Sequence, residues 1–245
     1  MNFDSNTMGL MYWQINDIWQ APTWATIEYG LKWKMGHYYV KRMYEPVYPL
    51  PILKPYLADV NNENASLSIY VINELFTGTT GQLTCSFLSF DSFTPRATTA
   101  YNISFSSPDT QLVADLPYST VMRSAGCVNS SQCLFHCWYN STQDDVGQTV
   151  FLTQPKNYPL QQPNLHIQNI NQVSPTEFSI TIIATRPALF VWLDVPANVT
   201  GYFSRNGFHM LESMRTISFH SWSPMNMENA SLNVSVTSLF DVTQP

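Results

Sequence analysis

The sequence predicts a mostly β protein in which a short strand-and-helix opening precedes two β-sandwiches. Three observations carry this. Over two long stretches, short apolar runs alternate with polar residues, as in strands with one face buried. Sixteen prolines cut the chain into blocks, against only nine glycines. Hydrophobic residues make up 44% of the chain, aromatic ones 14% and charged ones 11%, which is ample material for packed cores.

The same composition excludes several classes. A chain this aromatic is not disordered. Its net charge of −6 leaves no basic surplus for a nucleic-acid backbone. No apolar run approaches the roughly 20 residues of a membrane-spanning helix. At 245 residues the chain fits one or two domains or part of something larger.

Block by block, Leu10-Met11-Tyr12-Trp13 is nearly continuous in apolar character and reads as a strand buried on both faces. Asn16-Asp17 then turn the chain and Pro22 punctuates a loop. From Lys32 to Tyr44, the spacing of Trp33, His37, Val40 and Tyr44 predicts one face of an amphipathic helix. Lys41 and Arg42 favour its negative end and Pro46 stops it. Glu45 to Pro51, with three prolines, reads as a stiff joint.

Alternation then predicts strands around 66–71, 82–87, 99–105, 111–115, 134–139 and 148–153, with Gly78-Thr79-Thr80-Gly81 as a turn. A second joint, Pro155 to Pro159, leads to strands around 164–170, 178–185, 189–195, 216–222 and 232–237, with a reversal at Asn206-Gly207. The expected domains are 1–45, an incomplete strand-helix piece; 46–158, an immunoglobulin-like β-sandwich; and 159–245, a second one. One buried strand and one helix cannot make a core, so the opening block has to finish a domain whose other elements lie elsewhere. Trp138, Trp192 and Trp222 read as core filling, with a carbohydrate-binding face as the alternative.

Sequons begin at Asn64, Asn102, Asn129, Asn140, Asn198, Asn229 and Asn233, where chance would give about three. They point to a glycosylated protein of the secretory route. Cys127 and Cys133 flank a short polar loop that a disulfide can close in an oxidising compartment. Cys85 and Cys137 lie in strand-like runs, and either a second bridge or two buried thiols is compatible with that. No CxxC occurs and the five histidines lack metal-ligand spacing, so no metal or cofactor is expected. The first residues have neither the positive nor the apolar region of a signal peptide, so an export signal is expected upstream of Met1.

Thr7 to Trp24, with Met11-Tyr12-Trp13-Gln14-Ile15-Asn16-Asp17-Ile18-Trp19-Gln20 at its centre, resembles the end of the catalytic barrel in beta-mannosidases of glycoside hydrolase family 2. The continuation Ile27-Glu28-Tyr29-Gly30, Lys32 to Met35 and His37-Tyr38 is similar, as are Phe190 to Val195, Asn206-Gly207-Phe208, Arg215-Thr216 and Val236 to Leu239. The two ends are specific and similar to the lysosomal animal type, whereas residues 56–154 are only loosely similar. The resemblance implies the last quarter or so of an exo-acting, retaining enzyme that removes terminal β-linked mannose from N-glycan breakdown products. It implies a (β/α)8 barrel flanked by sandwiches, with residues 1–45 as the barrel's last βα unit. The substrate is then a mannose-terminated oligosaccharide, the partner is the missing N-terminal barrel, and the compartment is the lysosome.

Retaining hydrolysis needs two carboxyl groups about 5–5.5 Å apart. The glutamates Glu28, Glu45, Glu63, Glu74, Glu177, Glu212 and Glu228 match neither family motif, so the chain alone is expected to be inactive. By resemblance Trp13 offers an apolar platform to the sugar's C–H face, Asn16 and Asp17 bond hydroxyls at the barrel mouth, and Trp19 lines the approach. Turn chemistry is the other role open to Asn16 and Asp17. Packing suits Trp24 better, and Glu28 reads as an ion-pair partner. Residues 8–44, without the rest of a barrel, are expected to fray or to aggregate. The competing reading is a non-catalytic β-sandwich module for glycan binding or adhesion.

Overall fold

The computed structural model describes residues 11–141, 145–225 and 232–243. Sequon Asn229 and Leu10 of the expected first strand lie outside these residues. The chain divides into two compact units: Met1–Lys41 with Gln161–Pro245, and Arg42–Leu160.

Helix α1 (Met35–Met43) starts three residues later than its periodicity predicts. The residues before it are committed elsewhere. Ile27 pairs with Trp33 in an antiparallel bridge, and the Lys34 amide donates to the Thr26 carbonyl at 2.9 Å.

Among its described residues the unit Arg42–Leu160 holds seven strands: β1 (Val47–Lys54), β2 (Ser66–Asn73), β3 (Thr79–Leu88), β4 (Ala97–Phe105), β5 (Asp109–Pro117), β6 (Leu134–Ser141) and β7 (Asp145–Val150). They form two antiparallel sheets in the orders β1-β2-β5 and β4-β3-β6-β7. Alternate residues build the core between them: Leu67, Ile69 and Val71 from β2, Leu83, Cys85 and Phe87 from β3, Ile103 and Phe105 from β4, and Cys137 and Tyr139 from β6. The short helix α2 (Tyr118–Ser124) adds the fully buried Tyr118 and Met122. Cys85 and Cys137 stand directly opposite on β3 and β6 and are bonded to each other, and a second bridge joins Cys127 to Cys133. The sequence had left the first pair open; register decides it.

The proline-rich joint is in fact the edge strand β1, in unbroken register with β2 from Val47↔Asn73 to Lys54↔Ser66. Its prolines permit this because they fall on one parity. Beside the strand the Glu74 amide donates to the Pro46 carbonyl at 2.8 Å. Hydrogen-bonded pairs recur every second residue, so Tyr48, Leu50 and Ile52 face β2 and the missing amides of Pro49 and Pro51 point away from it. The turn expected at 78–81 also differs: Thr79 to Gly81 already belong to β3. Gly81 is needed there because a Cβ would stand 2.6 Å from the Asn140 carbonyl oxygen and from the Tyr139 ring.

In the other unit, β8 (His166–Ser174), β9 (Glu177–Ile183), β10 (Ala188–Asp194), β11 (Gly201–Phe203), β12 (Phe208–Met210), β13 (Met214–Ser221) and β14 (Ser235–Thr237) form the sheets β11-β13-β9-β8 and β12-β10-β14. Phe178, Ile180 and Ile182 of β9, Val191 and Leu193 of β10 and Phe219 of β13 are buried between them. Asn206-Gly207 makes the expected reversal, with Gly207 at φ +63°. Asn206 is buried and its amide spans both backbone groups of Leu193 at 2.8 Å.

Helix α1 packs on this sandwich. Tyr38 is buried, its hydroxyl accepts the Phe203 amide at 3.1 Å, and Tyr39 donates to the Gly207 carbonyl at 2.8 Å. The helix thus has packing partners in its own unit, which the expectation of fraying did not count. Residues 11–13, by contrast, do not form the expected strand. A strand needs a neighbour to complete its ladder, and among the described residues none runs beside Met11 to Trp13.

Candidate functional site

Residues 11–34 form an irregular loop that holds all four candidate contact residues, Trp13, Asn16, Asp17 and Trp19. Two inner segments of it are tied together. Asn16 and Ile27 form a parallel bridge, the Asp17 amide donates to the Ile27 carbonyl, and the Ile27 amide donates to the Ile15 carbonyl, both at 2.9 Å. Thr26 donates from its hydroxyl to the Ile15 carbonyl at 3.0 Å and meets His37 Nδ1 of α1 at 2.9 Å. Burial, and then the charge of Lys41, hold the His37 imidazole below its usual pKa.

Asp17 is the anchor of this arrangement. It is 7% exposed, accepts the Thr23 hydroxyl on one oxygen and meets Lys34 Nζ at 3.0 Å on the other. The Thr23 hydrogen bond, and then Lys34, hold its carboxyl below the ordinary carboxylate range against the opposing effect of burial. A carboxylate engaged on both oxygens orients the loop. Asn16 is exposed and donates from Nδ2 to the Asp17 carbonyl at 3.2 Å.

The two tryptophans point the other way. Trp13 is 72% exposed and Trp19 63%, and Met11, Ile15, Ile18 and Trp24 are exposed beside them in sequence. The Trp13–Gln14 peptide is cis. The loop thus pairs a polar, ion-paired interior with an apolar, indole-rich exterior. Such an exterior suits the C–H face of a pyranose ring or the packed wall of a larger protein. Among the described residues no group of His, Cys, Asp and Glu is arranged to hold a metal ion. No described helix is long and apolar enough to cross a membrane.

Reading the sequence missed Thr23 and Lys34 as partners of Asp17. Lys34 lies 17 residues away and carries no local signal. Thr23 does carry one. Its hydroxyl accepts the Ala25 amide at 3.0 Å, the turn that Ser and Thr favour two residues before a backbone N–H. Of the sandwich tryptophans, Trp222 is 47% exposed and Trp138 lies half-buried on an outer sheet face, so neither is simple core filling.

Residues 160–242 match the Ig_mannosidase family, an Ig-fold domain. Along 96% of its length the chain is 32% identical to the beta-mannosidase of Capra hircus, and along 98% it is 31% identical to that of Bos taurus, covering 26% of each relative. Beta-mannosidase A of Aspergillus clavatus is 33% identical over 96% of the chain. The crystal structure of beta-D-mannosidase from Dictyoglomus thermophilum has the same fold, with a TM-score of 0.71 at 15% identity over 93% of this chain and 26% of that one. The chain spans about a quarter of the length of the curated relatives it matches. These matches make the chain a β-sandwich-bearing relative of one region of known glycoside hydrolases. Its homologues are the beta-mannosidases, mammalian and fungal.

Proposed function

We propose that the chain is the C-terminal part of an exo-acting, retaining beta-mannosidase that removes terminal non-reducing β-D-mannose during glycoprotein breakdown in the lysosome. The observation that carries this reading is the similarity to mammalian beta-mannosidases, which extends over 96% of the chain in one relative and 98% in another. In this reading residues 1–45 complete a (β/α)8 barrel, and 46–158 and 159–245 are its accessory sandwiches. The exposed wall of Met11, Trp13, Ile15, Ile18 and Trp19 is then interior to the whole enzyme. Trp13 faces the C–H surface of the terminal mannose, Trp19 lines the approach, Asn16 bonds a sugar hydroxyl, and Asp17 fixes the loop that carries them. Neither catalytic carboxylate is supplied by this chain, so alone it hydrolyses no mannoside.

A chimera tests this. Residues 1–245 replace the corresponding last quarter of the goat enzyme. The chimera is expected to cleave aryl β-mannosides, and Trp13→Ala in it is expected to lower kcat/KM by at least about tenfold, or roughly 1.4 kcal/mol. Turnover of an aryl β-mannoside by the isolated chain would overturn the proposal. So would a folded chimera that prefers another glycoside.

A further inference from the structure

The outer face of the β4-β3-β6-β7 sheet is laid out in cross-strand rows. One row is Asn102–Gln82–Asn140, and all three side chains are exposed. The next is Ala100–Thr84–Trp138–Gly147. Trp138 therefore stands among small neighbours, with a residue lacking any side chain directly opposite it on β7. Its ring stacks on His136, with centroids 5.9 Å apart and planes 28° from parallel. The imidazole in turn fills the space over Gly147, where a Cβ would lie 2.7 Å from His136 Nε2. The result is a flat, half-buried aromatic platform on an otherwise polar sheet face.

Asn140 follows Trp138 by two residues on the same strand, so their side chains share this face about 7 Å apart. Asn140-Ser141-Thr142 is a sequon. Both disulfides lie in this same unit, in keeping with an oxidising, glycosylating compartment.

We infer that Asn140 carries an N-linked glycan whose first N-acetylglucosamine lies on the Trp138 ring, making the sugar a structural part of this sheet. The donor is a polyisoprenyl-pyrophosphate-linked oligosaccharide. The Asn140 Nδ2–C1 bond forms, the C1–O bond to pyrophosphate breaks, and one amide proton is lost as the pyrophosphate departs. The axial C–H groups of the sugar then cover an indole face that water wets poorly, and its hydroxyls and acetamido group turn to solvent. Asn102, two strands away in the same row, lies about 10 Å off and is placed to carry a second glycan beside the first.

The test uses the full chain secreted from a eukaryotic host in three forms: glycosylated, trimmed enzymatically to a single N-acetylglucosamine, and the Thr142→Ala variant, which lacks the acceptor motif. Mass spectrometry is expected to find the glycan on the Asn140 peptide. Hydroxyl-radical oxidation of Trp138 is expected to be severalfold slower in both sugar-bearing forms than in Thr142→Ala. The melting temperature of Thr142→Ala should be lower by about 3 °C. That difference should vanish in a Trp138→Thr background, and if that variant does not fold, the oxidation rates alone decide. An unmodified Asn140, equal oxidation in all three forms, or a glycan effect indifferent to Trp138 would overturn the inference.

Discussion

The Trp33 indole lies flat on the Tyr202 ring, with centroids 4.5 Å apart and planes 18° from parallel. Tyr202 continues the contact to His220 and Trp222, each at 5.0 Å. This stack, with Lys32 bound to Asp194 and to the Val195 carbonyl, ties the N-terminal loop to the sandwich of its own unit. Removing the indole by Trp33→Ala is expected to cost about 2 kcal/mol, combining lost burial with a lost aromatic pair. Thermal unfolding measures the cost. Hydrogen exchange should show residues 33–41 opening faster in the variant.

The loop should also respond to acid. Asp17 has its folded pKa below the ordinary value of 3.8. A lowered carboxylate pKa contributes stability that is present above the unfolded value and lost as pH falls through the folded one. The amides of Asp17 and Ile27 are therefore expected to stay protected from neutral pH to about pH 4 and to open only at more acidic pH. Asp17→Asn and Lys34→Met should speed their exchange at pH 7. A protection midpoint above the ordinary carboxylate value would contradict this.

Two buried tyrosines, one in each unit, are expected to lower stability at alkaline pH. Burial pushes Tyr38 and Tyr158 up to about 12 from the ordinary 10.0. The unfolded chain loses these protons first, so stability is intact below pH 10 and declines as pH rises towards 12. The decline should be about 1.4 kcal/mol per pH unit for each tyrosine. In Tyr38→Phe and Tyr158→Phe the dependence should shrink in the affected unit, at the expense of the hydrogen bonds from Phe203 and Leu152. Denaturant titrations at pH 8 and 11 measure it.

The two disulfides should differ in worth. Cys85–Cys137 closes 52 residues and Cys127–Cys133 only six. By loop-closure entropy, opening the first is expected to cost about 4 kcal/mol and the second about 2 kcal/mol. Chemical denaturation of the paired Cys→Ser variants should show that order, and the reverse order would refute it.

Where side chains alternate cleanly the fold was legible in advance. Leu67, Ile69 and Val71 announce β2, and Phe178, Ile180 and Ile182 announce β9, because strand burial is written at a period of two. Three features resisted for separate physical reasons. Pro49 and Pro51 signal a break, yet a strand at a sheet's edge needs amides on one side only. Met11 to Trp13 are apolar enough for a strand, but a ladder depends on a neighbour, and its presence is not a local property. Trp138 sits at a strand position that periodicity alone assigns to a core, whereas register places it outside, opposite a glycine. At the candidate site, Trp13, Asn16, Asp17 and Trp19 came from resemblance. The loop that gathers them rests on Thr23 and Lys34, whose roles exist only after folding.

The bare proline positions along β1 bear on how copies of this protein treat one another. A foreign strand approaching that rim would look for amide hydrogens to grip at 49 and 51 and find ring carbons instead. One sheet margin is thereby closed to fibril-like stacking between copies, without spending charge on it.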